Sequence, residues 1–319
     1  LPTTAPALAN NLANSERETD EEVFLLPGGY VDESGKVHDE VQLAPLTGLD
    51  EEALLGSLDP GTCAASVVTS LLSRCVKRVG SLDGVDASLI RELLVADRDY
   101  LIVKLRLLTL GPRVDCVLRC PDPNCGELMD LTFNLDELEF ERKPVKQRYV
   151  TIQLLHGAAE FQSEQLTGSV DVRFPNGADQ EACAPLFTID KETALAELLS
   201  RCIRRVDNCS TVDRAKISGL DRAVRLEIEE RLRQLAPQTE IELEASCPEC
   251  EKSFGAGFDA LTFLLREIIS SVRSVEHDVH YLAWHYHWSE REILSMTRRK
   301  RQRYVALVQE EVDRVNGVR

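Results

Sequence analysis

The chain has 319 residues, 43% of them hydrophobic but only 5% aromatic, and a net charge of −17. At about 150 residues per domain this length suits two domains with cores of Leu, Val, Ile and Ala. The acidic balance argues against a surface built mainly to grip nucleic acid or anionic lipid. Ten cysteines are too sparse for a small secreted disulfide scaffold, and no apolar run reaches the length of about 18 residues that a membrane helix needs. The sequence therefore predicts a soluble protein made in the cytoplasm.

Residues 1–22 are rich in Ala, Pro, Asn, Thr and acid without an apolar period, which predicts a mobile arm. VFLLPGGYVDESGKVHDEVQLAPLTG at 23–48 reads as short strands broken at PGG and ESG. From Asp50 an acidic first turn opens a helix. LLSRC at 71–75 and ADRDYLIVKLRLL at 96–108 continue as helices, and two alternating segments, RVDCVLRC and ELMDLTF, flank a cysteine pair as strands.

The same series then recurs. LLSRCVKRV at 71–79 returns as LLSRCIRRV at 198–206, with seven of nine positions identical. GLDEEA at 48–53 matches GADQEA at 177–182, and the 96–108 helix matches LDRAVRLEIEERL at 220–232. Cys120-Pro121 returns as Cys247-Pro248, and a Phe follows each pair at Phe133 and Phe258. Ordered blocks at a nearly constant offset indicate a duplicated unit of strand, helices, strand, cysteine turn and strand. The fold class expected is α+β: pseudo-repeated half-domains at 23–143 and 149–270, the charged segment RKPVKQR at 142–148 between them, and a C-terminal helical docking tail at 271–319.

Cys120-Pro-Asp-Pro-Asn-Cys125 and Cys247-Pro-Glu-Cys250 have the form of zinc knuckles, in which a tight turn aims two thiolates at one point. Gly126 supplies the positive φ such turns use. Tetrahedral zinc takes four ligands and each hairpin offers two, so duplication completes the site. One structural Zn2+ on Cys120, Cys125, Cys247 and Cys250 is expected, a closed site without an open position for catalysis. Disulfides within or between the pairs are the alternative. Cys75 and Cys202 read as buried apolar positions; Cys116, Cys63, Cys183 and Cys209 gain no role.

In the tail, one helix is expected over 259–286 and a second from Ser289, whose spacing to Glu292 is that of a capping box. Ile293, Leu294, Tyr304, Val305, Leu307 and Val308 form its apolar stripe. His277, His280, His285 and His287 lack the arrangement of a metal motif and read as packing beside Trp284 and Trp288. Arg298, Arg299, Lys300, Arg301 and Arg303 place five cations in six residues of an acidic protein. Together with Trp288 they are the candidate surface for an acidic protein partner or a second copy of this chain. Asp97-Arg98 and Asp221-Arg222 read as helix caps or buried ion pairs.

LPGGYVDESGKVHDEVQLAPLTGLDEEALL and YLAWHYHWSEREILSMTRRKRQRYVALVQEE resemble the opening and closing segments of baseplate or tail-assembly proteins of contractile-tailed phages and phage-like injection systems. They are similar in particular to baseplate hub proteins of T-even-type phages. The resemblance implies a structural or assembly role among baseplate, hub and tube subunits, in the virion tail or injection particle, and brings no catalytic residue with it. No Gly-rich phosphate loop, GxSxG or HExxH is present, so neither an enzyme nor a small-molecule substrate is expected. The alternative is a zinc-ribbon adaptor for nucleic acid. The acids Asp122, Glu249 and Glu251 in or beside the knuckles weigh against it.

Overall fold

Pro27-Gly28-Gly29 interrupts the first strand, β1 (Glu22–Val31), and its antiparallel register with β2 (Val37–Leu43) slips between Leu25 and Tyr30. The computed structural model describes residues 21–59, 61–154, 168–206, 215, 217, 219–220 and 222–317. All but the end of the expected N-terminal arm, Cys209 and Asp221 lie outside them.

After β2, Thr47 caps α1 (Gly48–Leu55) through a capping box with Asp50, so the acidic turn read at Asp50 belongs to a helix that begins two residues earlier. Then follow α2 (Ala64–Cys75), β3 (Val76–Val79), β4 (Leu82–Asp83), α3 (Ala87–Glu92), α4 (Val95–Leu110) and the hairpin β5 (Arg113–Arg119)–β6 (Leu128–Asn134). The sheet order is β1-β2-β3-β4.

The second series is β7 (Val150–Gln153), β8 (Ser169–Val172), α5 (Gly177–Phe187), α6 (Lys191–Cys202), β9 (Ile203–Val206), α7 (Arg222–Leu235) and the hairpin β10 (Ile241–Ser246)–β11 (Ser253–Phe258). Strands β7, β8 and β9 pair in that order. The pairs Val41↔Val79, Gln42↔Arg78 and Leu43↔Val76 of the first sheet have their counterparts in Val170↔Val206, Asp171↔Arg205 and Val172↔Ile203, with the register slip at the same place. Asn176 and Asp179 form a capping box at α5 as Thr47 and Asp50 do at α1.

The expected LLSRC helix is the end of α2, which stops at Cys75, and Val76–Val79 after it joins the sheet. Burial of Val76 and Val79 against the first core makes the strand the better use of these β-branched residues. The helix pairing 96–108 with 220–232 is three residues out of step. α4 begins at Val95 and α7 at Arg222, which sets buried Leu101 opposite Ile228 and Leu105 opposite Leu232. Arg98 therefore corresponds to Arg225. Finally, 142–148 is held against β1: Lys143 N donates to Pro27 O, Val145 N donates to Gly28 O, and Val145 is buried in the second core.

The tail comprises α8 (Ala260–Tyr286), α9 (Glu290–Leu294) and α10 (Arg298–Val315). α8 fits the expected span, and Ser289 forms the expected capping box with Glu292. The expected second helix is two, broken at Ser295–Thr297, where Met296 O accepts from Gly48 N at 3.3 Å and Thr297 bridges Thr47. One core lies among the β1–β4 sheet, α2, α4 and the start of α8, and a second among β7–β9, α6 and α7. The two series interlock. Phe258 of the second hairpin packs edge-on to Phe133 of the first at 5.1 Å, and buried Arg106 of α4 is bidentate to Glu267 of α8.

Candidate metal centre and docking elements

Each cysteine hairpin turns on residues whose backbone closes the loop. Cys125 N and Gly126 N both donate to Asp122 O in the first, and Glu251 N donates to Cys247 O in the second. The residue after the second cysteine is left-handed in both, Gly126 at φ +64 and Glu251 at φ +58. The two hairpins face each other, and the Sγ atoms of Cys120, Cys125, Cys247 and Cys250 all lie within 4.8 Å of one another. Across the hairpins, Cys120 Sγ is 3.7 Å from Cys250 Sγ and Cys125 Sγ is 3.7 Å from Cys247 Sγ.

That spacing is compatible with one of the two chemistries expected of the pairs and too long for the other. A disulfide needs about 2.05 Å between sulfurs, and the four cysteines are free. Sulfurs at the corners of a tetrahedron with Zn–S of about 2.3 Å are about 3.8 Å apart. Met129, Ala245, Leu118 and Phe254 pack around the cluster, in which Cys120 and Cys247 are buried and Cys125 and Cys250 half-buried. Lys252 of one hairpin pairs with Asp122 of the other above it. The donor set fits a closed four-thiolate site, in which these four cysteines would be the ligands.

The other cysteines among the described residues are set apart from this chemistry. Burial pushes the Cys75 and Cys202 thiols up to about 12, which leaves them protonated and unreactive. Cys116 and Cys183 are buried, and Cys63 is half-buried.

The basic run divides when seen on α10. Arg299, Lys300 and Arg303 are exposed and Arg298 half-buried, but Arg301 is completely buried, 3.3 Å from Glu51 and 4.0 Å from Asp278. Arg301 is therefore removed from the candidate partner surface: it faces inward between α1 and α8. Trp288 is half-buried, stacked on Tyr286 at 4.5 Å and edge-on to Tyr304 at 5.0 Å. It borders a cleft lined by Glu292, Ser295, Met296, Thr297 and Lys300. Two of the four histidines pack on a tyrosine: His277 and His285 flank Tyr281 at 5.9 and 4.8 Å, while Trp284 is exposed.

Asp97 and Arg98 are both buried, but they neither cap a helix nor pair with each other. Asp97 accepts from Gly28 N and Gly29 N at 2.7 and 2.9 Å, and burial lifts its carboxyl to about 6 despite those bonds. Arg98 donates to Ala65 O and Thr69 Oγ1, and burial lowers its pKa. Its guanidinium lies under the first residue of α5, where a Cβ on Gly177 would sit 1.2 Å from Nη1. Arg301 lies likewise under Gly48, whose Cβ would be 2.7 Å from its Nη1. These arginine–glycine contacts went unread in the sequence. The signal was there in Thr47-Gly-x-Asp50 and Asn176-Gly-x-Asp179, two identical cap-and-glycine spacings.

Among the described residues no helix is long and apolar enough to cross a membrane. Neither a curated protein nor a solved structure gives a match. The family model for the T4 bacteriophage base plate protein matches residues 30–261, from the bend of β1 through both cysteine hairpins to the start of α8. It stops short of the 276–315 segment whose motifs carried half of the resemblance. With the model spanning well over half of its length, the chain belongs to the T4 bacteriophage base plate protein family.

Proposed function

We propose that the protein is a structural component of a contractile tail or injection-system baseplate, a zinc-stapled bracket of two duplicated halves that holds neighbouring subunits. The observation that carries this reading is the four-cysteine cluster. Its ligands come two from each hairpin, so one ion would fix the placement of two halves that belong to a baseplate family. The matched sheet registers and capping boxes support duplication, with halves at 23–143 and 149–270.

The contacts to neighbours are assigned to the tail at 271–319, through Arg298, Arg299, Lys300, Arg303 and the edge of Trp288. Cations in the first turn of α10 oppose the helix dipole, by about 0.3–1 kcal/mol each. A sequence that keeps them there is suited to an acidic surface outside the chain. A second copy of this acidic protein and another acidic subunit both meet that description.

The test combines metal analysis with assembly. Protein purified without chelators should contain about one zinc per chain. A Cys120→Ser/Cys247→Ser double variant should lose the metal and fail to enter particles. Zinc-free protein of unchanged stability that still assembles would refute the bracket.

A further inference from the structure

The arginine–glycine contacts belong to a pattern that occurs three times. Ile90-x-x-Leu93-x4-Arg98, Ile217-x-x-Leu220-x4-Arg225 and Ile293-x-x-Met296-x4-Arg301 share one spacing. In each, the Ile is wholly buried, a long helix (α4, α7 or α10) begins two residues after the Leu or Met, and the Arg is that helix's fourth residue. Each Arg keeps its Nε buried without a hydrogen-bond partner. The flanking support also corresponds. Arg98 donates to Ala65 and Arg225 to Glu192, the second residues of α2 and α6.

Two of these sockets are filled by helix starts of this same chain. Gly177 N donates to Leu93 O, Asn176 bridges Leu94, and Gly177 lies on Arg98. Gly48 N donates to Met296 O, Thr47 bridges Thr297, and Gly48 lies on Arg301. Each inserted helix carries its own capping box and, within two residues of the capping Asp, an acid that reaches the receiving side. Glu51 meets Arg301, and Glu181 meets Arg91 and Thr69. Glycine is required because the flat guanidinium occupies the place of a Cβ.

The third socket has no such occupant among the described residues. Thr/Asn-Gly-x-Asp occurs in the sequence at 47–50 and 176–179 and nowhere else, and both copies are in use. We propose that the socket built on Ile217, Leu220 and Arg225 receives a helix start from another polypeptide, one reading Thr/Asn-Gly-x-Asp with a Glu within the next two residues. The occupant is a different chain and not a second copy, because each copy already spends both of its glycine helix starts internally. This docking surface is separate from the basic tail and does not depend on zinc.

The probe is a peptide of residues 171–188, added to the full chain or appended to its C-terminus through a flexible linker that raises its effective concentration. Amide hydrogen exchange reads where it binds. Exchange at 222–228 should slow several-fold with the native peptide, and should be unchanged with a Gly177→Ala peptide or in an Arg225→Ala chain. The proposal is overturned if even the appended peptide protects nothing. Equal protection by the Gly177→Ala peptide, or protection confined to 93–98 or 296–301, also overturns it. So does concentration-dependent protection of 222–228 in the chain alone, because that would make the occupant a second copy.

Discussion

Glycine at 177 and 48 is a choice made by two arginines, and the geometry ranks the consequences. An alanine Cβ at 177 would coincide with Arg98 Nη1, which Ala65 O and Thr69 hold in place through Nη2. At 48 the clash is with the tip of Arg301 and with Leu294, whose Cα is 3.1 Å away. Overpacking of this kind costs about 1–3 kcal/mol, so Gly177→Ala should lower the urea midpoint more than Gly48→Ala. The reverse order would contradict the fit described for Arg98. Glu251 presents the opposite case. Its left-handed backbone has no glycine, unlike Gly126 in the first hairpin, so Glu251→Gly should stabilise the protein by up to about 1 kcal/mol.

Asp97 gives a pH dependence of unusual sign. Its folded-state pKa, raised from 3.8 to about 6 by burial, means that the folded protein binds more protons than the unfolded one between those values. Stability from this group is therefore present below about pH 4 and declines as pH rises through 6. Asp97→Asn removes the titration. Relative to the parent, the variant should gain stability by a few kcal/mol between pH 4 and pH 7.5, as followed by denaturant unfolding at a series of pH values. A constant difference across that range would show that Asp97 stays ionised throughout.

At the scale of elements, what could be read in the sequence depended on how many positions each feature specifies. The capping box at Ser289 and the 259–286 helix were legible because the cap residues and a long apolar period are local signals. The cysteine hairpins were legible because two cysteines a few residues apart across a tight turn are a local signal. The third repeat of the arginine element was not, because α3–α4 and α9–α10 share only an Ile, a Leu or Met and an Arg, which a scan for identical runs passes over. The strand at Val76–Val79 and the break at Ser295–Thr297 were hidden for a related reason: they meet β2 and Thr47, and such partners lie far away in the chain. The short α9 depends on its cap to begin at all, so Ser289→Ala should cost about 1 kcal/mol and raise amide exchange at 290–294. Unchanged exchange there would leave packing of Ile293 and Leu294 as the sole anchor.

At the scale of the molecule, the charge of −17 is unevenly borne, and so is the connection between the two series of elements. Among the links between them are two kinds: the start of α5 seated on buried Arg98, and the pair of hairpins meeting at four cysteines. The second kind rests on a small apolar cluster and on the Phe133–Phe258 contact. Without an ion, four thiolates within 4.8 Å would repel one another at high pH, and the hairpins would separate before either core opened. Chelation at neutral pH should therefore lower the melting temperature and raise amide exchange first in β5–β6 and β10–β11. The β1–β4 sheet, whose core draws on α2 and α4, should hold its protection until global unfolding. If exchange rose equally in both places, the cysteine site would support the whole fold. If it rose in neither, the site would contribute nothing to joining the halves.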